Sequence, residues 1–423
     1  MNIKEISGKL DLELSEVELK GLEGQTKIII KEIEIELKKL RAKAEVFVGG
    51  SFAKQTLMKR EKYDIDIFVR FEKNQEEISK ILESALVKVS NILRLELKRV
   101  HGSRDYYALK SNNVLFEIVP VTKINKPEEA GNSTDLSYFH VKYVNGKVKK
   151  NPKLRRDIII AKAFCRAQGV YGAESWVHGF SGYSLECLVI AYGGFERMLK
   201  ALSKSEGQVI LDPEKKYKKK NEISIELNES KRKGPIILVD PTFKQRNVCS
   251  ALSQETFDKF KLCARLFLKK SGISFFEYKK IDEEKLRNRA KKIKGEFIKL
   301  LVRSDKQEGD IAGAKLEKFY RFLLEEVGKF YELKDKVFEF DEGHESEVYL
   351  IVKPNKNAVQ VGPPLKMIEE GKIFKKAHKN AFVKAGRLYS PIKVEPIHTF
   401  LEKWKTKREG QIKDMDVCEL QVI

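Results

Sequence analysis

Residues 46–56, VFVGGSFAKQT, and 62–71, KYDIDIFVRF, carry the reading of the fold and of the chemistry. The first runs from a β-rich triplet into two glycines and a serine, the pattern of a strand, a tight turn and a helix start. The second alternates carboxylates with isoleucines. Successive strand residues face opposite ways, so Asp64 and Asp66 project together with Cα atoms roughly 6.5 Å apart, while Ile65 and Ile67 enter a core. Two carboxylates held this closely repel each other unless a cation neutralises them, and hard oxygen donors suit Mg²⁺ bound together with phosphates. Gly49 and Gly50 let the backbone approach a polyphosphate, and Ser51 adds a hydroxyl and an N–H at the helix start. A third carboxylate, Glu117 in VLFEIVPV (114–121), alternates with Phe116 and Ile118 in the same in-and-out manner. Three carboxylates can hold two ions, the arrangement that clamps the attacking and leaving oxygens in nucleotidyl transfer. A D-x-D on a strand is by itself often a solvent-facing edge, and G-G-S a common turn. The order G-S, then D-x-D, then an acid before V-P is far more specific than either part.

Outward from this stretch, residues from Leu14 to about Glu45 follow a helical pattern with i,i+4 charge pairs. A helix is expected over 76–94, and strands at LELKRV (95–100) and VLFEIVPV. Strands and helices thus mix in α+β fashion over the first 140 or so residues. From Lys142 to Arg156 there are seven basic residues and no acidic one, interrupted by Asn145, Gly146 and Pro152, which reads as a linker or a phosphate-facing loop. Helices follow over 157–169, 181–202 and 257–270. The basic run KKYKKK (215–220) reads as a solvated loop before the strand IILVDP. Beyond residue 270 the pattern returns to mixed α and β: a strand at GEFIKLLVRS, a long amphipathic helix at 314–333, strands at KVFEF and EVYLIVK, and a last helix at HTFLEKWKTK.

The 423 residues can supply several cores, with 42% hydrophobic and 9% aromatic residues. Against 62 Asp+Glu there are 83 Lys+Arg, a net charge of +21. That excess is the electrostatic footprint of a protein that neutralises phosphates, and nucleic acid is the first partner it suggests. The lack of a long apolar run or a secretory signal points away from membranes and towards a cytosolic protein. The five cysteines are scattered, so neither a zinc site nor a disulfide framework is expected, and they read as buried thiols.

The array Gly50-Ser51-Phe52-Ala53-Lys54, Asp64-Ile65-Asp66 and Glu117 resembles the DNA polymerase beta-like nucleotidyltransferase superfamily. STDLSYFH ending at His140, GVYGAESWVHGFSGYSLECLVIAYGGF (169–195), VDPTFKQRNVCSAL (239–252) and the tail motifs VGPP and GRLY narrow the resemblance to the archaeal CCA-adding enzymes. The fold that follows is multi-domain α+β. It comprises a nucleotidyltransferase head over 1–142, a mostly helical central nucleotide- and primer-positioning part over 143–256, and a tRNA-binding α/β body and tail over 257–423. The implied activity is template-independent addition of CCA to tRNA from CTP and ATP with pyrophosphate release. Asp64, Asp66 and Glu117 would be catalytic and hold Mg²⁺. The Gly50-Ser51 turn would hold the triphosphate, Lys54, His140, Lys162 and Tyr171 would bind the nucleotide, and Arg246 would help select the base. On residue chemistry alone, Tyr171 reads as core, Lys162 as a solvated helix residue and His140 as a turn cap. The implied tRNA contacts are the acceptor stem and T arm, and the implied state is a monomer or homodimer. Competing readings are a poly(A) polymerase or oligoadenylate-synthase-like enzyme, which would use ATP only, and an RNA-binding relative without catalysis. Glu117 stands where the family usually has Asp, Gln55 where glycine is usual, and Leu136 where arginine is common.

Overall fold

A computed structural model of the chain describes residues 3–73, 77–101, 105–278, 280–306, 308–341 and 343–423. It divides into two compact units: Met1–Ala173 with Val177–Lys279, and Glu174–Trp176 with Lys280–Ile423.

The first unit opens with helices α1 (Ile3–Lys9) and α2 (Glu16–Lys39), then strand β1 (Ala44–Val48), the single turn α3 (Gly50–Ala53), β2 (Tyr63–Phe71), α4 (Ile78–Leu93), β3 (Glu96–Val100), β4 (Tyr106–Ser111) and β5 (Val114–Thr122). A capping box at Ser15 and Glu18 starts α2. The sequence pattern carries that helix to Glu45, yet it stops at Lys39. Arg41 takes φ +53°, Ala42 N–H donates back to Leu37, and Ala44 and Glu45 pair with Phe71 and Arg70 instead. Glu76, where the next helix was placed by pattern, lies outside the described residues.

The five strands form one mixed sheet in the order β1-β2-β5-β4-β3. β2 and β5 run parallel, and the β1–β2, β5–β4 and β4–β3 pairs are antiparallel. One face of the sheet presents Ile65, Ile67, Val69, Phe116 and Ile118 to α2 and α4, all of these side chains fully buried, which closes the core with Ile33, Leu82 and Leu86. The other face carries the polar residues that alternate with these, together with Phe68, which stacks on Phe47. β4 escaped the sequence reading because YYALKS lacks clean alternation.

The unit continues with α5 (Ser137–Lys150), α6 (Lys153–Ala167), α7 (Gly182–Tyr192), α8 (Phe195–Ser203), β6 (Val209–Leu211), α9 (Lys220–Glu226), α10 (Glu229–Arg232), β7 (Ile236–Leu238) and α11 (Gln254–Lys269). Its core gathers Phe164, Phe180, Phe195, Phe257, Phe260 and Phe267. The basic stretch 142–156 is therefore not a loop but the end of α5 and the start of α6, broken only at Asn151-Pro152. Burial of Val144, and the hold of Glu214 on both Tyr143 and Lys147, outweigh the helix-weakening Asn145-Gly146 pair. In KKYKKK the lysines flank a buried Tyr217, whose hydroxyl donates to the Lys244 carbonyl.

The second unit carries α12 (Glu283–Lys292), β8 (Glu296–Ser304), α13 (Asp310–Gly328), β9 (Tyr331–Phe340), β10 (Glu345–Pro354), β11 (Val359–Pro364), α14 (Ile368–Ala377), β12 (Phe382–Lys384), β13 (Arg387–Pro391), α15 (Ile397–Lys407), α16 (Glu409–Lys413) and β14 (Val417–Val422). An antiparallel sheet β14-β8-β10-β9 packs its apolar side on α13 and α15, and a second sheet β11-β13-β12 lies beside α14. The helix at 397–407 is not the last element. The short VCELQV segment pairs with β8, a partner distant in sequence that periodicity cannot supply.

The boundaries drawn from sequence at 142/143 and 256/257 fall inside α5 and α11, and the compact units change over at Lys279. Cys165, Cys187 and Cys249 are buried as expected, but Cys263 is only partly covered and Cys418 is exposed. Among the described residues no helix is long and apolar enough to cross a membrane.

Candidate active site

The parallel pairing of β2 with β5 sets Asp66 directly beside Glu117. Neighbours in register point to the same face, about 4.8 Å apart, and Asp64 shares that face two residues away. All three predicted carboxylates thus stand on the side of the sheet away from α2 and α4. Asp64 is exposed, with Arg60 Nη1 3.9 Å from its Oδ2. Asp66 is half-buried. Burial pushes its carboxyl above the usual range, Lys54 pulls it back, and the Asp64 charge pushes it up again. Among the described residues no three acidic, histidine or cysteine side chains are gathered tightly enough to cage an ion as they stand. The donor set still fits a hard divalent cation: all-oxygen ligands, two of them adjacent in register and the third on the same face of the strand.

Gly49 N–H donates to the Asp66 carbonyl at 2.8 Å, bringing the glycine turn over the D-x-D strand. Gly50 has φ +57°, and a Cβ there would lie 1.6 Å from Asp66 Oδ2. A Cβ at Gly49 would lie 2.2 Å from the Phe68 ring. A side chain is excluded at Gly49 by space alone, and at Gly50 by space and by the left-handed backbone angle. Ser51 follows within α3, its carbonyl accepting from Thr56 N–H. Gln55 takes φ +54°, so the position where the family usually has glycine does need the left-handed region, and glutamine occupies it with strain.

Lys54 and Lys162 converge on one carboxylate. Lys54 Nζ lies 2.6 Å from Glu186 Oε2 and Lys162 Nζ 2.7 Å from Oε1. The Thr56 hydroxyl donates to Glu186 Oε1 at 2.8 Å and accepts from Lys162 at 2.9 Å. Glu186 is fully buried, which by itself would raise its pKa, but the two ammonium groups hold it down at about 2. Tyr171 joins the cluster beside Gly182, where a Cβ would lie 3.1 Å from its hydroxyl and 3.9 Å from Lys162 Nζ. Burial, with the Glu186 charge, pushes that phenol up to about 12, so it stays a neutral donor.

A second cluster forms around Asp240. Arg246 Nη1 donates to Asp240 Oδ2 at 2.9 Å, and His140 Nε2 lies 3.3 Å from the same oxygen. Asp240 is fully buried; burial opposes its charge, yet His140 and Arg246 hold its pKa well below the usual carboxylate range. Burial chiefly lowers the His140 pKa, with Asp240 opposing. Tyr183 joins the two clusters: its ring stacks on His140 at 3.9 Å, lies under Lys54 at 5.6 Å, and is 5.9 Å from the Arg246 guanidinium.

The structure therefore brings together every residue singled out by sequence, in two groups beside the carboxylate face. Sequence reasoning missed Thr56, Tyr183, Glu186 and Asp240. A signal for Glu186 was present, since a lone charge inside the apolar run LECLVIA is rarely buried without a partner.

Residues 30–133 match the family described as nucleotidyltransferase domain, and 156–277 the family described as tRNA nucleotidyltransferase, second domain. The CCA-adding enzyme of Nanoarchaeum equitans is 35% identical over 355 residues, covering 82% of this chain and 83% of that protein. The CCA-adding enzyme of Saccharolobus shibatae is 32% identical over 298 residues, covering 69% of this chain and 65% of its own length. A solved structure of Cid1, titled for its RNA terminal uridylyl transferase activity, superposes with a TM-score of 0.50 at 12% identity. It covers 66% of this chain and 97% of that one, a likeness of fold alone. The chain belongs to the family of archaeal CCA-adding enzymes, the tRNA nucleotidyltransferases.

Proposed function

We propose that this protein adds C, C and A in turn to the 3′ end of tRNA, using CTP and ATP and releasing pyrophosphate. The observation that carries the reading is the parallel register of Asp66 with Glu117 on the sheet face that also holds Asp64. Beside that face lie two lysines, a neutral tyrosine and an arginine with one arm tied back.

The chain's own groups divide the work. The Gly49-Gly50 turn admits the triphosphate against backbone, with Ser51 as donor and Lys54 as the nearest cation. Tyr171 adds a hydroxyl that cannot lose its proton near neutral pH. Asp64, Asp66 and Glu117 would hold two Mg²⁺, which when bound supply Lewis acidity at the attacking 3′-hydroxyl and at the departing pyrophosphate. Asp240 clamps Arg246 against Tyr183 and His140, which fixes the direction in which the remaining guanidinium donors meet a base edge or the RNA backbone. Functionally we divide the chain into a catalytic head over 1–142, a nucleotide- and primer-positioning part over 143–256, and a tRNA-binding body and tail over 257–423. The net charge of +21 supports an RNA partner, and the tRNA would be held at its acceptor stem and T arm.

The deciding experiment supplies tRNA lacking CCA, Mg²⁺ and each labelled nucleotide singly and together. Addition of two C residues followed by one A, then arrest, is the expected result. Use of ATP alone in long runs would replace this reading with a poly(A)-type polymerase, and no incorporation with retained tRNA binding would leave an RNA-binding protein.

Base choice is tested by Arg246→Lys, which keeps the charge and removes the planar fork. Discrimination of CTP and ATP against UTP and GTP should fall by about tenfold or more, as expected when a hydrogen-bonding group worth about 1.4 kcal/mol is lost. Incorporation efficiencies for the four nucleotides, on tRNA ending before the first C, the second C and the A, measure it. An unchanged preference ratio would show that Arg246 does not read the base.

A further inference from the structure

Two ammonium groups and one carboxylate meet in a nearly water-free place. The exposed share of the side chain is 8% for Lys54, 2% for Lys162 and zero for Glu186. An ion pair would balance; this trio carries a surplus positive charge, which is costly to bury unless an anion faces it. The three donors of Lys162 go to Glu186 Oε1, the Thr56 hydroxyl and, at 3.3 Å, the Thr56 carbonyl. Lys162 is thereby immobilised. Lys54 differs. Among the described residues it gives one hydrogen bond, to Glu186 Oε2, and its ammonium lies 5.6 Å from the centre of the Tyr183 ring.

We infer that Glu186 is a positioning residue for nucleotidyl transfer: its carboxylate, braced by Lys162 and Thr56, fixes Lys54 so that the unspent ammonium donors meet the triphosphate. The inference rests on the triphosphate lying at the Gly49-Gly50 turn, as proposed above. The surplus charge of the trio is then matched by the incoming phosphates. Glu186 sits on α7 and Lys54 just beyond α3, so the same contact ties the glycine turn to the helix that carries Tyr183.

Glu186→Gln keeps the shape and removes the charge, and Glu186→Asp keeps the charge and shortens the reach. Inorganic tripolyphosphate, titrated calorimetrically and as a competitor of CTP, reports phosphate affinity apart from chemistry. The expected result for Glu186→Gln is kcat lower by at least about 100-fold, because a donor about 1 Å out of place costs that much. Tripolyphosphate affinity should be equal to or higher than wild type, since a negative charge has been removed. A purely structural role would instead lower kcat and affinity together, in step with the folded fraction followed by circular dichroism, and that result overturns the inference. Should Glu186→Gln not fold, Glu186→Asp decides: kcat reduced by at least about tenfold with tripolyphosphate affinity retained supports it, and wild-type kcat overturns it. Failure of tripolyphosphate to compete with CTP in the wild-type protein would overturn the triphosphate placement itself. Competition in the wild type with unchanged kinetics in both variants overturns only the role of Glu186.

Discussion

Asp66→Ala is expected to lower nucleotide incorporation by on the order of 10³-fold or more, with tRNA affinity nearly unchanged. Asp66 is the carboxylate in register with Glu117; burial and the Asp64 charge raise its pKa while Lys54 opposes them, and a cation sharing the site would favour its charged form further. A metal's stabilisation of charge at the reacting oxygens is worth several kcal/mol, and each 1.36 kcal/mol is tenfold in rate. Asp64→Ala should act in the same direction, because the proposed Mg²⁺ would draw on both carboxylates of β2. Neither residue lies in the stretch 257–423, for which tRNA binding is proposed, so filter binding or fluorescence anisotropy of tRNA should detect little change. Retention of as much as about a tenth of wild-type turnover by either variant, against the loss set by the lost Lewis acidity, would remove these carboxylates from the catalytic role.

Gly50→Ala is the second large effect, and it acts through space rather than charge. The new Cβ would sit 1.6 Å from Asp66 Oδ2 and 2.5 Å from its Cγ, at a backbone φ of +57°. The left-handed conformation costs an alanine about 1–2 kcal/mol, which a chain of this size tolerates. The clash is the greater problem, since Asp66 has to rotate away or the turn has to lift from β2, breaking the Gly49 hydrogen bond to the Asp66 carbonyl. A displacement of about 1 Å at the reacting groups costs roughly 100-fold, so activity should fall at least that far while thermal unfolding shifts by only a few degrees, as about 1–2 kcal/mol implies. Gly21→Ala on exposed α2, with no atom within 4 Å of the new methyl, is the matched control and should leave activity unchanged. Near-normal incorporation by Gly50→Ala in a folded protein would mean that the turn is free to move and does not seat the phosphates.

The linear order of residues determined those features that depend on near neighbours. Alternation in YDIDIF placed both aspartates on one face because strand geometry has a period of two, and the same rule turned Glu117 away from Phe116 and Ile118. The glycine turn was legible because no other residue fits a left-handed angle beneath a carboxylate. The charge surplus pointed to RNA without any folding at all. Local pattern also misled where packing outweighed it: Asn-Gly within α5 and the continuous helical signal from α2 into β1 were settled by Val144 burial and by pairing with β2.

Tertiary structure alone decided which distant residues meet. That Asp66 lies beside Glu117, 51 residues on, follows from a parallel pairing that requires a crossover through α4, β3 and β4. The union of Lys54 and Lys162 on Glu186, 132 and 24 residues away from it, has no local signature beyond an acid in an apolar helix. Asp240, which the sequence placed only within the strand IILVDP, becomes the anchor of His140 and Arg246 only once α5 and the segment after β7 share a buried carboxylate. Local periodicity reports which way a side chain faces. Which opposite charge it finds there is set by loop closure over tens of residues, and the cost of burying any one of these charges alone is what forces them together.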